Sequence, residues 1–311
     1  MADQTLLLHV GLPKTGTTSL QKWCDTNREA LSLCGVDYPP ADPDESARKH
    51  QFVVRELMSG TLRCTESLLQ AADPAKKLLL STEGLTNHLY DFPEASLTRF
   101  RELVAAWDVR ILLVVRDEES WTKSYYKQLV LNPPHGDFGY ATSLPLSEFS
   151  WLPRVRRLLD HASLSRDLRT HLGGRSVTVQ RFEDDWFDGF RAWVGLDPGR
   201  AWPAPGHEHA SCSDDVVEIV RLINRMQLPP DERAHCLHAL ATGLECSGQA
   251  REANLGQIAV FYSPLGDVSR GNAIWATVMT ELARVTPAGS TVGRLVQSIA
   301  PPELREGTAS A

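Results

Sequence analysis

The stretch Leu6-Leu-Leu-His-Val-Gly-Leu-Pro-Lys-Thr-Gly-Thr-Thr-Ser-Leu20 decides the fold of this chain. Its apolar run from Leu6 to Val10 predicts a buried β-strand, and the residues from Thr17 onward predict an amphipathic helix. The loop between them is bounded by Gly11 and Gly16. A loop that joins a strand to the start of a helix directs backbone N–H groups and the positive end of the helix at an anion. The stretch therefore predicts an anion-binding loop.

The position of the lysine separates this loop from the phosphate-binding loop of nucleoside triphosphatases. In that pattern a lysine directly follows the second glycine, and the next Ser or Thr binds Mg²⁺. Here Thr17 takes the lysine position, and Lys14 lies inside the loop. A kinase or NTPase that uses ATP and Mg²⁺ remains one alternative for the chain, and a nucleotide-binding module without catalysis is another.

A second apolar run, Val109 to Val115, predicts a strand that is buried on both faces of a parallel sheet. Arg116 follows it directly, and Ser124 comes eight residues later on the helix that the next residues predict. Arg116 could bind a dianionic phosphate through two parallel hydrogen bonds, and Ser124 could donate one more. A magnesium-dependent NTPase would more naturally place an acidic residue at this strand end. The structural alternative is a surface arginine that pairs with the acidic residues 117–119.

Pro13-Lys-Thr-Gly-Thr-Thr-Ser-Leu20, together with Arg116 and Ser124, resembles the soluble bacterial type of sulfotransferase that uses 3′-phosphoadenosine-5′-phosphosulfate (PAPS). The resemblance covers roughly residues 5–226. It implies that Arg116 and Ser124 hold the 3′-phosphate, that Lys14 contacts the oxygen between phosphate and sulfuryl group, and that no metal is required. The residues that it implies for the 5′-phosphosulfate are Pro13, Lys14, Thr15, Gly16, Thr17, Thr18 and Ser19. One position departs from the family, which usually has proline where this chain has Glu118.

A third strand, Lys77 to Ser81, is followed closely by Glu83. The same resemblance implies that Glu83 lies in the cleft and accepts the proton of an acceptor hydroxyl. A Mg²⁺-linked carboxylate and a structural glutamate are the alternatives at this position. His50 is a second candidate for the base, because many family members place a histidine in this neighbourhood. His9 lies inside the first strand, and this position favours a structural histidine in the core over a catalytic base.

Composition narrows the function classes. The chain has 311 residues, 42% hydrophobic and 23% charged, as in ordinary globular proteins. Its formal net charge of −7 gives no support for binding nucleic acid or an anionic membrane surface. No apolar run approaches the length of a membrane span, and no signal peptide is evident before the first strand. Six dispersed cysteines without a C-x-x-C pair suit a reducing compartment, so the expected location is the cytoplasm.

Strands that alternate with helical crossovers predict an α/β fold with a doubly wound parallel sheet between two layers of helices, similar to P-loop proteins. We expect one sulfotransferase domain over 1–311. Within it, residues 1–200 form the nucleotide-binding core, 201–300 form a helical C-terminal part, and 301–311 form a flexible tail. The segment 152–172 predicts one helix, Ser176 onward a fourth strand, and 231–246 and 270–284 further helices.

The resemblance implies transfer of a sulfuryl group from PAPS to a hydroxyl or amine, with release of adenosine 3′,5′-bisphosphate. The acceptor is a small molecule, a glycan or a lipid, and the sequence does not separate these classes. It also gives no oligomeric state.

Overall fold

The structure is a computed structural model that describes residues 4–40, 48–135, 139–183, 185–206, 212–246, 268–287 and 289–300. The tail predicted over 301–311 lies outside these residues. The chain divides into two compact units, the first formed by Met1–Thr122 with Trp151–Glu208 and the second by Lys123–Ser150 with His209–Ala311. The prediction of a single domain over 1–311 stays a prediction. In the described part of the chain, no helix is long and apolar enough to cross a membrane.

The first unit contains a five-stranded parallel sheet in the order β2-β3-β1-β4-β5. The strands are β1 (Gln4–His9), β2 (Val36–Asp37), β3 (Lys77–Ser81), β4 (Trp107–Val115) and β5 (Ser176–Arg181). The central strand β1 pairs with β3 through Leu6 and Leu78, and with β4 through Gln4 and Trp107. The chain therefore winds outward from β1 in one direction to β2 and β3, and in the other direction to β4 and β5.

Helices connect the strands. Those before β4 are α1 (Thr17–Thr26), α2 (Arg28–Leu33), α3 (Gln51–Ser59), α4 (Arg63–Ala71), α5 (Gly84–Asn87) and α6 (Glu94–Leu103). After β4 come α7 (Glu118–Leu131), α8 (Leu146–Phe149), α9 (Pro153–Leu159), α10 (His161–His171) and α11 (Trp186–Val194). The remaining described helices are α12 (Asp214–Arg225), α13 (Pro230–Cys246), α14 (Val268–Val285) and α15 (Thr291–Ile299).

Both faces of the central strands are buried, as the continuous apolar runs predict. On one face Leu7 of β1 packs in a core cluster with Leu20 and Trp23 of α1 and with Phe190 of α11. Leu6 and Leu8 point to the opposite face and are also fully buried. The predicted α/β architecture, a parallel sheet flanked by helices, is confirmed.

Two local features differ from the sequence predictions. The segment 152–172 is not one helix, because Asp160 interrupts it and its side chain accepts a hydrogen bond of 3.0 Å from the backbone N–H of Ser163. Such an N-cap begins a new helix. The second difference is β2, whose two residues are too few to produce a period-two pattern.

The second unit is helical in the residues described. A buried polar network joins α7, α12 and α13, because Asn224 Nδ2 donates to the Val130 carbonyl at 2.9 Å and Arg233 Nε donates to Asn224 Oδ1 at 2.7 Å. The helices predicted over 231–246 and 270–284 are present as α13 and α14. The sequence analysis missed α15, whose start is capped by the Ser290 hydroxyl.

Candidate functional site

The predicted site residues of the first unit follow the carboxyl ends of three neighbouring strands. The loop Gly11–Gly16 follows β1, Glu83 follows β3, and Arg116 follows β4. Because the chain leaves β1 and β4 in opposite directions, a crevice is expected between these two strand ends, which is where open parallel sheets bind ligands. The topology alone therefore places Lys14, Glu83 and Arg116 at one edge of the sheet.

The loop after β1 is held in one shape by its own contacts. Lys14 and Gly16 both have left-handed backbones, with φ of 68° and 74°. The buried Trp121 indole donates a hydrogen bond of 2.8 Å to the Pro13 carbonyl, and the Thr15 hydroxyl donates one of 2.6 Å to the Leu12 carbonyl. These bonds fix a backbone conformation that a lysine rarely adopts, so the loop is formed before any ligand arrives.

The start of α1 offers hydrogen-bond donors to an anion. Gly16 is the N-cap and supplies no side-chain cap, and the first bond within the helix runs from the Leu20 N–H to the Gly16 carbonyl. The N–H groups of Thr17, Thr18 and Ser19 precede that bond and are therefore left for a ligand. The Thr17 hydroxyl is buried and has no partner among the described residues. An anionic group fits this donor set.

Gly16 is required at its position for two separable reasons. Its φ is positive, and a Cβ there would overlap the ring of Phe182. We expect Gly16→Ala to lower the free energy of unfolding by about 2–4 kcal/mol, from backbone strain and overpacking together. Urea denaturation measures the change.

Gly35→Ala is the matched control for that variant. Gly35 has a φ of 77°, but nothing lies within 4 Å of an added Cβ. In this control the free energy of unfolding should fall only through backbone strain, by about 1–2 kcal/mol. Equal losses in the two variants would show that the Phe182 contact contributes nothing.

Two charged neighbours act on Lys14 at this edge. Burial lowers the pKa of Lys14, and the nearby Arg116 lowers it further, while Glu83 acts in the opposite direction. Lys14 is only partly exposed, so its ammonium group interacts with both neighbours with little screening. Lys14 and Arg116, together with the N-terminus of α1, suit a ligand with more than one negative charge.

The acidic residues beside Arg116 are engaged elsewhere. Asp117 caps α7, since its Oδ1 accepts a hydrogen bond of 2.9 Å from the Ser120 N–H, and this bond lowers the pKa of Asp117. Glu118 pairs with Arg156 at 2.7 Å. The contact of Arg116 with Asp117 is long, at 3.9 Å. The Arg116 guanidinium therefore forms no close ion pair with Asp117 or Glu118. This favours a role in binding a ligand over a surface ion pair.

Glu83 lies between a cation and an amide. Its Oε1 is 3.4 Å from Lys49 Nζ, and its Oε2 is 3.3 Å from Gln21 Nε2. Burial acts to raise the pKa of Glu83, but the Lys49 charge and the hydrogen bonds outweigh it and hold the pKa below its ordinary value of 4.5. Glu83 is thus ionised at neutral pH and can accept a proton.

His50 is fully buried, and both of its ring nitrogens contact the backbone. The Ser81 N–H donates to Nδ1 at 2.9 Å, so the ring proton is on Nε2, which donates to the Pro39 carbonyl at 3.1 Å. Burial lowers the pKa of His50 to about 4. The ring joins the end of β3 to the segment before α3.

Two residues of the site escaped the sequence analysis, Lys49 and Gln21. Gln21 lies four residues after Thr17 on α1, so the shared helix face was a usable signal. The sequence around Lys49 has no comparable pattern that would indicate a residue of the site. Ser124 is half-buried on α7 in the second unit, and its role stays a prediction from the sequence.

Comparison with known proteins gives a weak structural likeness. No family model matches the chain, and no curated protein matches it. Among solved structures, the chain is similar to mouse sulfotransferase SULT7A1 in complex with PAP, with 14% sequence identity and a TM-score of 0.35. The match covers 96% of this chain and 90% of the mouse chain. A likeness at this TM-score does not define a function.

Proposed function

We propose that the chain is a sulfotransferase that moves a sulfuryl group from PAPS to a hydroxyl or amine of an acceptor. The observation that carries the proposal is that Lys14, beside the uncapped start of α1, interacts electrostatically with both Arg116 and an ionised Glu83. Two cations and free N–H groups suit a ligand with separate anionic groups, and the carboxylate suits proton removal from an acceptor.

In this reaction an acceptor oxygen forms a bond to sulfur while the bond from sulfur to the 5′-phosphate oxygen breaks. Glu83 takes the acceptor proton. Lys14 and the N–H groups of the loop stabilise the charge that develops on the leaving phosphate oxygen. Arg116 holds the 3′-phosphate by charge-assisted hydrogen bonds. The products are a sulfated acceptor and adenosine 3′,5′-bisphosphate.

The location of the cations favours this reaction over ATP hydrolysis or kinase chemistry. Thr17 stands where an NTPase has its lysine, and Arg116 stands at a strand end where an NTPase more naturally has an acidic residue. The sulfuryl group carries less charge than a phosphoryl group, so a cation with backbone donors can stabilise its transfer without Mg²⁺.

Glu83 is the better candidate for the base. Protonation of His50 at Nδ1 would break its bond from the Ser81 N–H, and its ring has no free nitrogen to offer an acceptor. Glu83 has two carboxylate oxygens, each with one long contact, and therefore retains lone pairs for a substrate proton.

A thermal-shift experiment tests the choice of ligand. Adenosine 3′,5′-bisphosphate at 100 times its Kd should stabilise the folded protein by about 2.7 kcal/mol, and the gain should persist in EDTA. The comparison ligand is ATP with Mg²⁺.

Each outcome has a defined meaning. Stabilisation by ATP with Mg²⁺ alone would contradict the sulfotransferase proposal and favour an NTPase. Stabilisation by the bisphosphate, without transfer of ³⁵S-labelled sulfate from PAPS to any of a panel of phenol, glycan and lipid acceptors, would favour a binding module.

A further inference from the structure

A buried chain of hydrogen bonds runs from Glu83 into the sheet. Gln21 is 2% exposed, and its Nε2 lies 3.3 Å from Glu83 Oε2, 3.3 Å from Ser81 Oγ and 3.4 Å from the Ser81 carbonyl. A side-chain amide nitrogen carries two hydrogens, so it can donate to the carboxylate and to Ser81 at the same time. Gln21 is therefore a bridge from α1 to the end of β3.

His9 fixes the direction of these bonds. Its Nδ1 is 2.8 Å from Ser81 Oγ, and burial lowers the pKa of His9 to about 4, so the ring is neutral. When Gln21 donates to Ser81 Oγ, the serine hydroxyl donates to His9 Nδ1, and the ring proton is on Nε2. That nitrogen is buried without a partner among the described residues, and a Cβ on Gly11 would lie 3.4 Å from it. The chain of bonds thus ends directly beside the anion-binding loop.

The same helix reaches both reactants of the proposed reaction. Gln21 and Thr17 are four residues apart on α1 and share one face, about 6 Å apart along the axis. Thr17 is at the loop end of that face, where its hydroxyl is unpartnered in the described part of the chain. A rigid helix therefore sets the distance between the donor-binding end and the carboxylate contact.

We propose that Gln21 is a positioning residue, which holds the Glu83 carboxylate in one orientation relative to the loop, with Ser81 and His9 fixing the direction of the Gln21 amide. This inference rests on the proposed function, in which Glu83 removes the acceptor proton. It gives a role to the buried glutamine on the apolar face of α1, between the loop and the core residues that follow.

The test is Gln21→Met, which keeps the length of the side chain and removes the amide group that donates the hydrogen bonds. We expect kcat to fall by about tenfold, since a mobile base is less often in the reactive geometry. The KM for PAPS and the Kd for adenosine 3′,5′-bisphosphate should stay within about twofold of the wild-type values, because in the proposed reaction Glu83 contacts the acceptor and not PAPS.

The pH profile gives a readout that a merely structural role would not change. The hydrogen bond from Gln21 lowers the pKa of Glu83, so its removal should move the acid limb of kcat to higher pH. The charged and titratable groups that also face Glu83 are Lys49, Lys14, His9 and Tyr38. Gln180→Met is the matched control, because Gln180 donates to the Trp186 carbonyl at the sheet edge and lies away from Glu83 in the bonding network.

A second measurement does not depend on turnover. Titration of the Glu83 carboxyl carbon by ¹³C NMR, assigned with Glu83→Gln, should show a higher pKa in Gln21→Met than in the wild type. If Gln21→Met does not fold, Ser81→Ala takes its place, and an upward shift of the same sign is expected, because the amide keeps the Ser81 carbonyl but loses the hydroxyl that fixes its direction.

An unchanged pH profile, an unchanged NMR titration, or a loss confined to donor binding would overturn the positioning role. A raised NMR pKa in a protein that transfers no sulfuryl group would contradict the proposed function and leave the bonding network in place.

Discussion

Replacement of Lys14 by alanine should reduce sulfuryl transfer by about 10²–10³-fold, the loss found for a preorganised group that stabilises charge in the transition state. Lys14 is the cation inside the loop, and its ammonium interacts with both Arg116 and Glu83. Alanine keeps a Cβ at the left-handed position, so the variant removes the charge without changing the backbone strain. Single-turnover rates with labelled PAPS measure the effect on the chemical step.

Lys22→Ala is the control for that variant. Lys22 is on the same helix as Thr17 and is exposed, so its removal changes the net charge equally and should leave the rate within about twofold. A wild-type rate for Lys14→Ala would show that another group stabilises the leaving phosphate.

Replacement of Glu83 by glutamine should lower kcat by about 10²–10⁴-fold, as for loss of a general base, and should leave the affinity for adenosine 3′,5′-bisphosphate unchanged. The base works when ionised, so in the wild type activity should fall as the pH drops through the pKa of Glu83. Because that pKa is lowered from 4.5, the acid limb should lie below pH 4.5. Steady-state kinetics across pH measure the loss of kcat and the position of the acid limb. A binding assay measures the affinity for adenosine 3′,5′-bisphosphate.

The controls for this variant separate two candidate bases. Because the pKa of His50 is also lowered, to about 4, the acid limb alone does not distinguish His50 from Glu83. His50→Gln should lose stability and retain most of its rate per folded molecule. Glu94→Gln removes an exposed carboxylate whose pKa is likewise lowered, by its hydrogen bond from Arg101, and should change nothing in catalysis. A larger catalytic loss in His50→Gln than in Glu83→Gln would reverse the assignment.

Apart from the two-residue β2, the strands and the loop could be predicted from the sequence because they rest on local patterns. The apolar runs at Leu6 and Val109 are buried on both faces of a parallel sheet, and such runs have few other interpretations. The glycine pair and the displaced lysine predict the ligand class of the loop, and this assignment stays a prediction. Topology then followed from the alternation of strands and helices.

What the sequence could not show depends on contacts between distant residues. The bond from Trp121 to Pro13 joins residues 108 positions apart, and the bond from Gln21 to Glu83 joins residues 62 positions apart. Neither leaves a periodic signal. His50 was in the right neighbourhood for a base, but only its two backbone partners, at Pro39 and Ser81, show why it is poorly placed to act as one.

The sheet order has a consequence for how the protein is made. The strand that carries the loop is synthesised before the other strands of the sheet, yet Trp107, which pairs with Gln4 of this strand, follows about a hundred residues later. At about 5–20 residues per second, synthesis takes roughly 5–20 s to supply that partner. During this interval β1 has no neighbour on that side, and Phe182, which packs against Gly16, is made later still. The segment that would recognise the ligand is therefore synthesised well before the contacts that complete it, so we expect β1 of the nascent chain to remain open to aggregation until β4 has been made.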